Sequence, residues 1–223
     1  MYNPAGAQED YNRLLWNAGD KSNVSSLGEI TTKTGLAAFN DSIKKSLKYL
    51  YLNNNSFSNV DVLRDFNQIT ELYLMCNSNL SNIDGLENHK TINCLTLHYC
   101  ALTSLGNFDV TNNTYSGGLT GCSGIEKLSI QHNSGLTSLV GIESANEMIY
   151  LVANDCSITN IDSLANHSKI ITLILSNNIN LTNVNYIQHC KALQWIYLDY
   201  NTNMTNTSVD AAFNGTNQTL GTT

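Results

Sequence analysis

The sequence predicts an α/β repeat fold, a solenoid of stacked turns with a short parallel β-sheet along one wall. Three observations predict it. One spacing of apolar residues recurs seven times along the chain. One fixed point of that spacing is Asn or Cys in every copy. And only 13% of the 223 residues are charged while 42% are hydrophobic. Such a chain is aliphatic within and neutral-polar outside, unlike a disordered tail, which needs high charge and few aliphatics.

The first copy reads Leu47, Leu50, Leu52, Asn55, Phe57, Val60, Leu63 and Phe66. The frame restarts at Ile69, Ile92, Ile125, Met148, Ile170 and Leu193, so the start-to-start lengths are 22, 23, 33, 23, 22 and 23 residues. The 23-residue units carry one extra residue after the Asn, as in Asn77-Ser78-Asn79-Leu80. The 33-residue unit is a 22-residue unit with eleven residues inserted after Leu105; its frame recovers at Leu119, Cys122 and Ile125.

Each position has a physical job. The L-x-x-L-x-L segment ends in alternation, so it is a short strand with Leu50 and Leu52 inward. Repetition stacks these strands in parallel. The ninth position is Asn, Asn, Cys, Asn, Cys, Asn, Asn. There the chain bends away from the sheet, and a buried amide satisfies inward backbone groups that would each cost roughly 1–3 kcal/mol unpaired. The later apolar positions return the chain by loops or 3₁₀ turns. Asp61, Asp84 and Asp162 follow the fourteenth-position hydrophobic and are expected to cap those turns.

On these residues the chain resembles the leucine-rich repeat family, in its 22-residue class of bacterial internalins and SDS22-like proteins. Its departures are the mixed lengths, Cys100 and Cys156 at the ninth position, Ala153 in place of a larger aliphatic, and Phe57 for Ile or Leu. The resemblance implies a right-handed curved solenoid, with the parallel sheet on the concave face and loops and 3₁₀ turns on the convex face. It also implies adhesion or protein binding.

The ends must be shielded. Residues 1–46 are expected to form a helical N-terminal cap, with one piece over Gln8–Trp16 and another over Gly35–Ser46, where Leu36, Phe39 and Ile43 recur at helical spacing. Seven repeats occupy 47–209. Residues 210–223, rich in Gly, Thr and Asn, read as a frayed tail without a cap, so either the natural protein is expected to continue or a partner to cover that end. Met1–Gly6 has neither a charged start nor a hydrophobic stretch, and no signal peptide is expected there.

Composition excludes several functions. The net charge of -7, with no basic run, argues against nucleic acid or an anionic membrane as partner. No apolar run approaches membrane-spanning length. No nucleophile elbow, phosphate loop or dinucleotide fingerprint occurs, so no catalytic residue, cofactor or metal is assigned. His98 and His132 fall near the ends of consecutive strands with Asp155 in the next, but no third ligand is fixed by spacing. His89 and His167 share the twentieth position in matching Asn-His contexts and read as hydrogen-bonded packing residues. The six cysteines fall on frame or strand positions and are read as free packing thiols. Eleven N-x-S/T sites occur, several of which so Asn-, Ser- and Thr-rich a chain produces by chance, and they are not read as evidence of glycosylation.

The outward strand positions carry no duty in the repeat and are free to report function. They include Tyr49, Tyr51, Tyr73, Met75, His98, Tyr99, His132, Tyr150, Asp155, Trp195, Tyr197 and Tyr200, which form the candidate binding surface. Eight of the 13 Tyr and Trp residues fall here, at the two ends of the sheet around a polar centre. Aromatics favour strands in any case, but interfaces are enriched in Tyr and Trp. The insertion at 106–118 is a second candidate, read as a flexible polar loop outside the sheet with Phe108, Val110 and Tyr115 exposed or folded back.

The expected function is a non-enzymatic, internalin-like extracellular or cell-surface module of a longer bacterial protein. It would bind a protein ligand, or secondarily a glycan, through the concave face. The alternatives are a cytoplasmic SDS22-like scaffold or regulatory subunit, and an accessory domain of a larger secreted enzyme.

Overall fold

The computed structural model describes residues 13–17 and 44–205. Each repeat contributes one strand to a parallel sheet: β2 (Tyr49–Asn53), β3 (Glu71–Tyr73), β4 (Cys94–Thr96), β7 (Lys127–Ser129), β8 (Tyr150–Val152), β9 (Thr172–Ile174) and β10 (Trp195–Tyr197). Leu50, Leu72, Leu95, Leu128, Leu151, Leu173 and Ile196 stand in one register row. All but Ile196, in the last strand, are fully buried. Burying a Leu side chain contributes about 1.5–3 kcal/mol, and every turn buries several. The alternation read from sequence is therefore the inward row of this sheet, and the solenoid fold is as expected.

The N-terminal expectation needs correction. Part of the segment expected to be helical, Arg13–Asn17, is a strand (β1) lying parallel to β2, with Leu14 opposite Leu50. Pairing there satisfies the N–H and C=O groups that a helix would leave open along the edge of β2. Nearly all the rest of the expected cap, and the tail 210–223, lie outside the described residues.

The ninth position builds a ladder of buried hydrogen bonds. Asn133 Nδ2 donates to Ile130 O in its own turn at 2.8 Å and to Leu97 O in the preceding turn at 2.9 Å. Asn77, Asn178 and Asn201 repeat the pattern. The amide oxygen accepts a backbone N–H from the preceding turn: Asn77 Oδ1 from Asn55 N–H, and Asn201 Oδ1 from Asn178 N–H. Where that turn carries Cys, the donor is instead the residue two further on, Leu102 for Asn133 and Ile158 for Asn178.

This shift relates residue type to repeat length from the second repeat on; the first, 22 residues long with Asn55, falls outside it. In the 23-residue units the extra residue lets the turn close on itself, Leu80 N–H donating to Asn77 O and likewise at Leu136, Leu181 and Met204. The shorter Cys100 and Cys156 units leave that N–H to the next turn's Asn. Their thiols supply one donor in place of the amide, to Leu74 O and Ile130 O, both at 3.4 Å.

A second ladder runs through the twentieth position. His167 Nε2 donates to Ile142 O at 3.1 Å, and Cys122 Sγ donates to Leu86 O at 3.0 Å, each the equivalent carbonyl of the preceding turn. Burial pushes His89 and His167 below the ordinary histidine value, and His89 Nε2 and His167 Nδ1 are buried without a hydrogen-bond partner.

The return wall holds 3₁₀ turns at Asp61–Asp65, Asp84–Leu86, Asp162–Asn166 and Asn185–His189. Here the expected capping role of Asp61, Asp84 and Asp162 is corrected. The N–H of each turn's first residue is accepted by the side chain two residues earlier: Asn59, Asn82, Asn160 and Asn183. Ser104 and Ser138 do the same for Gly106 and Val140. A short side-chain oxygen two residues back reaches the N–H without distorting the turn. Asp84 is thereby released to accept the N–H of Gly118 at 2.8 Å.

Two predictions follow from these ladders. Asn133→Ala strands Leu97 O, Ile130 O and Leu102 N–H inside the solenoid, and lowers unfolding stability by about 3 kcal/mol in urea titration. Asn133→Cys, which the chain already uses at two equivalent positions, loses less. For the histidines, lowered folded-state values mean that the unfolded chain binds more protons as pH falls through 6.5. Stability is fully present above that pH and is lost below it. His89→Leu flattens the slope of urea midpoint against pH between about 6.5 and 5; an unchanged slope would show that burial does not keep His89 neutral.

Candidate functional site

The face of the sheet turned away from the core carries the candidate residues, but in three unlike environments. At the N-terminal end Tyr49, Tyr51, Tyr73 and Met75 are half-buried. Tyr51 and Tyr73 face each other across β2 and β3, their ring centroids 4.4 Å apart and their planes 3° from parallel. Tyr73 donates its hydroxyl to Glu71 Oε2 at 3.0 Å, and burial with the neighbouring Cys94 and Glu71 raises its pKa strongly. These rings are largely spent on each other.

The centre is a chain of side-chain contacts. Tyr99 stacks on His132 with centroids 4.1 Å apart, and His132 Nδ1 lies 3.6 Å from Asp155 Oδ2. Asp155 in turn accepts hydrogen bonds from Asn177, at 2.6 Å, and from Asn154. Those amides, with His132, hold its carboxyl below the usual carboxylate range. His98 Nδ1 is 3.3 Å from Ser129 Oγ, and burial together with His132 lowers its pKa.

Tyr99, His132, Asp155 and Tyr200 are not strand residues. With Asn54, Cys76 and Asn177 they form one column, each with φ between 55° and 61°, at the lip where the chain leaves the sheet. The left-handed conformation turns the chain toward the buried ninth position. Asn, Asp and His tolerate it; for bulkier L-residues it costs roughly 1–2 kcal/mol. One signal of this was in the sequence. His98 and Tyr99 cannot both face outward on a strand of period two, so one of them had to lie beyond its end.

The C-terminal end is open. Trp195 is 58% exposed, Tyr197 45% and Tyr200 77%, with the exposed Tyr150 two strands away on β8 in the register row of Trp195. Among the described residues none of these rings stacks on another. The two aromatic ends are separated by the intervening strands and do not form one cluster.

The insertion at 106–118 is not a flexible loop. It folds as an antiparallel hairpin, β5 (Asn107–Asp109) and β6 (Thr114–Ser116), closed by Thr111 and Asn112 N–H groups donating to Asp109 Oδ1. Phe108 and Tyr115 pair across it at 4.7 Å, both exposed, and Val110 at its tip is 80% exposed. Its base enters through Gly118 at φ 57°, where a Cβ would lie 1.9 Å from Leu105 O. The hairpin replaces the Asp84-Gly85 step of the preceding repeat, on the return wall.

All six cysteines are free thiols. Burial raises Cys100 and Cys122 to about 12, and Cys156 and Cys190 to about 11. Among the described residues no group of three or more His, Cys, Asp or Glu side chains could hold a metal ion, and no helix is long and apolar enough to cross a membrane.

No family model matches the chain, and no curated protein matches it in sequence. It is similar in structure to the internalin InlF of Listeria monocytogenes 4b F2365, at 23% identity and a TM-score of 0.63, over 77% of this chain and 46% of that one. It is similar also to internalin C2 of the same strain, at 18% identity and a TM-score of 0.50, over 85% of this chain and 88% of that one. The functional domain of InlJ from Listeria monocytogenes, which includes a cysteine ladder, matches at 17% identity and a TM-score of 0.50, over 90% of this chain and 46% of that one. The chain thus spans less than half the length of the InlF and InlJ structures. At these identities the likeness shows a shared fold.

Thiol titration checks the burial pattern. In the native state a disulfide-exchange reagent should reach only Cys76 and Cys94, which are half-buried. The other four should react only on unfolding, because burial suppresses the thiolate. Six fast-reacting thiols would contradict the packing described.

Proposed function

We propose that this chain, a leucine-rich repeat solenoid by fold, is a non-enzymatic recognition module that binds a protein partner over the exposed face of its sheet. The observation that carries this reading is the presence of Trp195, Tyr197 and Tyr200 as open rings on a face the core does not use. Large aromatics fixed on a rigid sheet lose little entropy on binding and dominate interface energetics. The central polar contacts hold the lip in one arrangement, so the surface is pre-organised.

Chemistry has little support on the same face. His98 meets Ser129, but its other neighbours are Tyr99 and His132, and among the described residues no carboxylate is hydrogen-bonded to it. Asp155 is engaged by His132, Asn154 and Asn177. A nucleophile, a base and an orienting acid are not in line.

The similarity to internalins supports placing the module outside the cell or on its surface, as part of a longer adhesive protein. A second reading, a cytoplasmic scaffold or regulatory subunit, is favoured by the six free thiols.

The test uses the chain as bait against extracellular and cytosolic protein pools, followed by titration of the captured partner. Trp195→Ala combined with Tyr197→Ala should weaken binding by roughly a hundredfold, with the thermal midpoint nearly unchanged because both rings are exposed. Affinity unchanged in the double variant but lost in Phe108→Ala would move the site to the hairpin.

A further inference from the structure

The open end of the face has a chemistry of its own. Trp195 and Tyr197 are two apart on β10, so they project from one side of the strand about 7 Å from each other. Behind them the register rows continue through Thr172 and Ile174 on β9. Tyr200 stands at the lip with φ 61°. Elsewhere in this column the left-handed residue is Asn, Asp, His or the small Cys76, or, like Tyr99, is held by a stacked neighbour. Tyr200 is a bulky residue in that conformation and has no ring, hydrogen-bond or ion-pair partner among the described residues. The left-handed turn that the bend imposes in every repeat holds this ring at the lip, 77% exposed.

Charge narrows what such a platform would take. Residues 150–156, 172–178 and 195–201, the three strands with their lips, contain no Lys or Arg. Their only charges are Asp155, already engaged, and Asp199, which accepts a hydrogen bond from Ser176 Oγ at 3.2 Å. Anionic polymers would meet two carboxylates and a net charge of -7. What remains around the rings is neutral: the Thr172 hydroxyl, which can donate and accept, the acceptor side of Ser176, whose proton goes to Asp199, and the Asn177 amide, which keeps its oxygen and one N–H beside the bond to Asp155. Flat apolar rings beside neutral donors and acceptors are complementary to a pyranose. Its axial C–H face is apolar, and its equatorial hydroxyls both donate and accept.

We infer that the β8–β10 end of the face, with Trp195, Tyr197 and Tyr200 as its stacking platform, is a subsite for a neutral oligosaccharide. The inference rests on the reading of the sheet face as the recognition surface and names the chemistry at one end of it.

The experiment screens the whole chain on an array of neutral and acidic glycans. Hits are then followed by saturation-transfer NMR observed on the free sugar, so that tryptophan substitutions do not remove the signal. The expected result is saturable transfer to at least one neutral oligosaccharide, with none to heparin tetrasaccharide. Affinity should fall at least roughly tenfold in Trp195→Ala and in Tyr197→Ala and be retained in Tyr51→Ala and Phe108→Ala, all with unchanged circular dichroism. No neutral glycan bound at about 10 mM, preference for heparin, or full affinity in Trp195→Ala would each overturn the inference. If no sugar binds while a captured protein partner still requires Trp195, only the sugar inference fails. If a sugar binds through Phe108 and not Trp195, the sheet-face reading fails with it.

Discussion

One constraint governs this molecule: every turn bends inward at the end of its strand, and the backbone groups exposed by that bend have to be satisfied away from water. The buried amide at the ninth position does this by reaching two carbonyls, one in its own turn and one in the turn before, while its oxygen takes a backbone N–H from that preceding turn. Because each amide is bonded across the boundary between turns, neighbouring turns lock in register. Apolar packing supplies most of the stabilisation, but it is not directional, and alone it would let turns slip. The polar ladder fixes the stacking.

The same bend produces the left-handed lip. To aim the ninth side chain inward, the residue before it has to turn outward with positive φ, and this holds in all seven repeats. The lip therefore presents one side chain per turn, spaced by the strand separation, at the margin of the exposed face. In the middle of the sheet these side chains satisfy one another, Tyr99 with His132 and Asp155 with Asn177. At the C-terminal end Tyr200 has no such partner among the described residues. The pattern that builds the core thus also sets the positions at which the molecule displays chemistry.

Variation in repeat length belongs to this account. An extra residue gives a turn its own closing hydrogen bond, and a turn without it passes an N–H to its neighbour's amide. The chain can mix 22- and 23-residue units because either arrangement leaves that group bonded. The same tolerance lets a hairpin replace two residues of the return wall, where Asn82 supplies the cap and leaves Asp84 to hold the incoming Gly118.

The solenoid, its strands, the buried amide and the exposed face were legible in the amino-acid order, because each depends on spacing repeated seven times and repetition survives local exceptions. The capping column of Asn59, Asn82, Ser104, Ser138, Asn160 and Asn183 was equally periodic, but the acidic residue beside it drew the assignment, since composition does not show which oxygen reaches the N–H. Features occurring once were decided by tertiary structure. Residues 13–17 became a strand because the edge of β2 needed partners, and the insertion became a hairpin because Phe108 and Tyr115 could pair. The exposed face divided for the same reason. Periodicity placed tyrosines at both ends of the sheet, but only three-dimensional packing determined that Tyr51 and Tyr73 close on each other while Trp195, Tyr197 and Tyr200 stay open. Whether a ring is free depends on its neighbour in the next turn, more than twenty residues away in the chain and one strand spacing away in space.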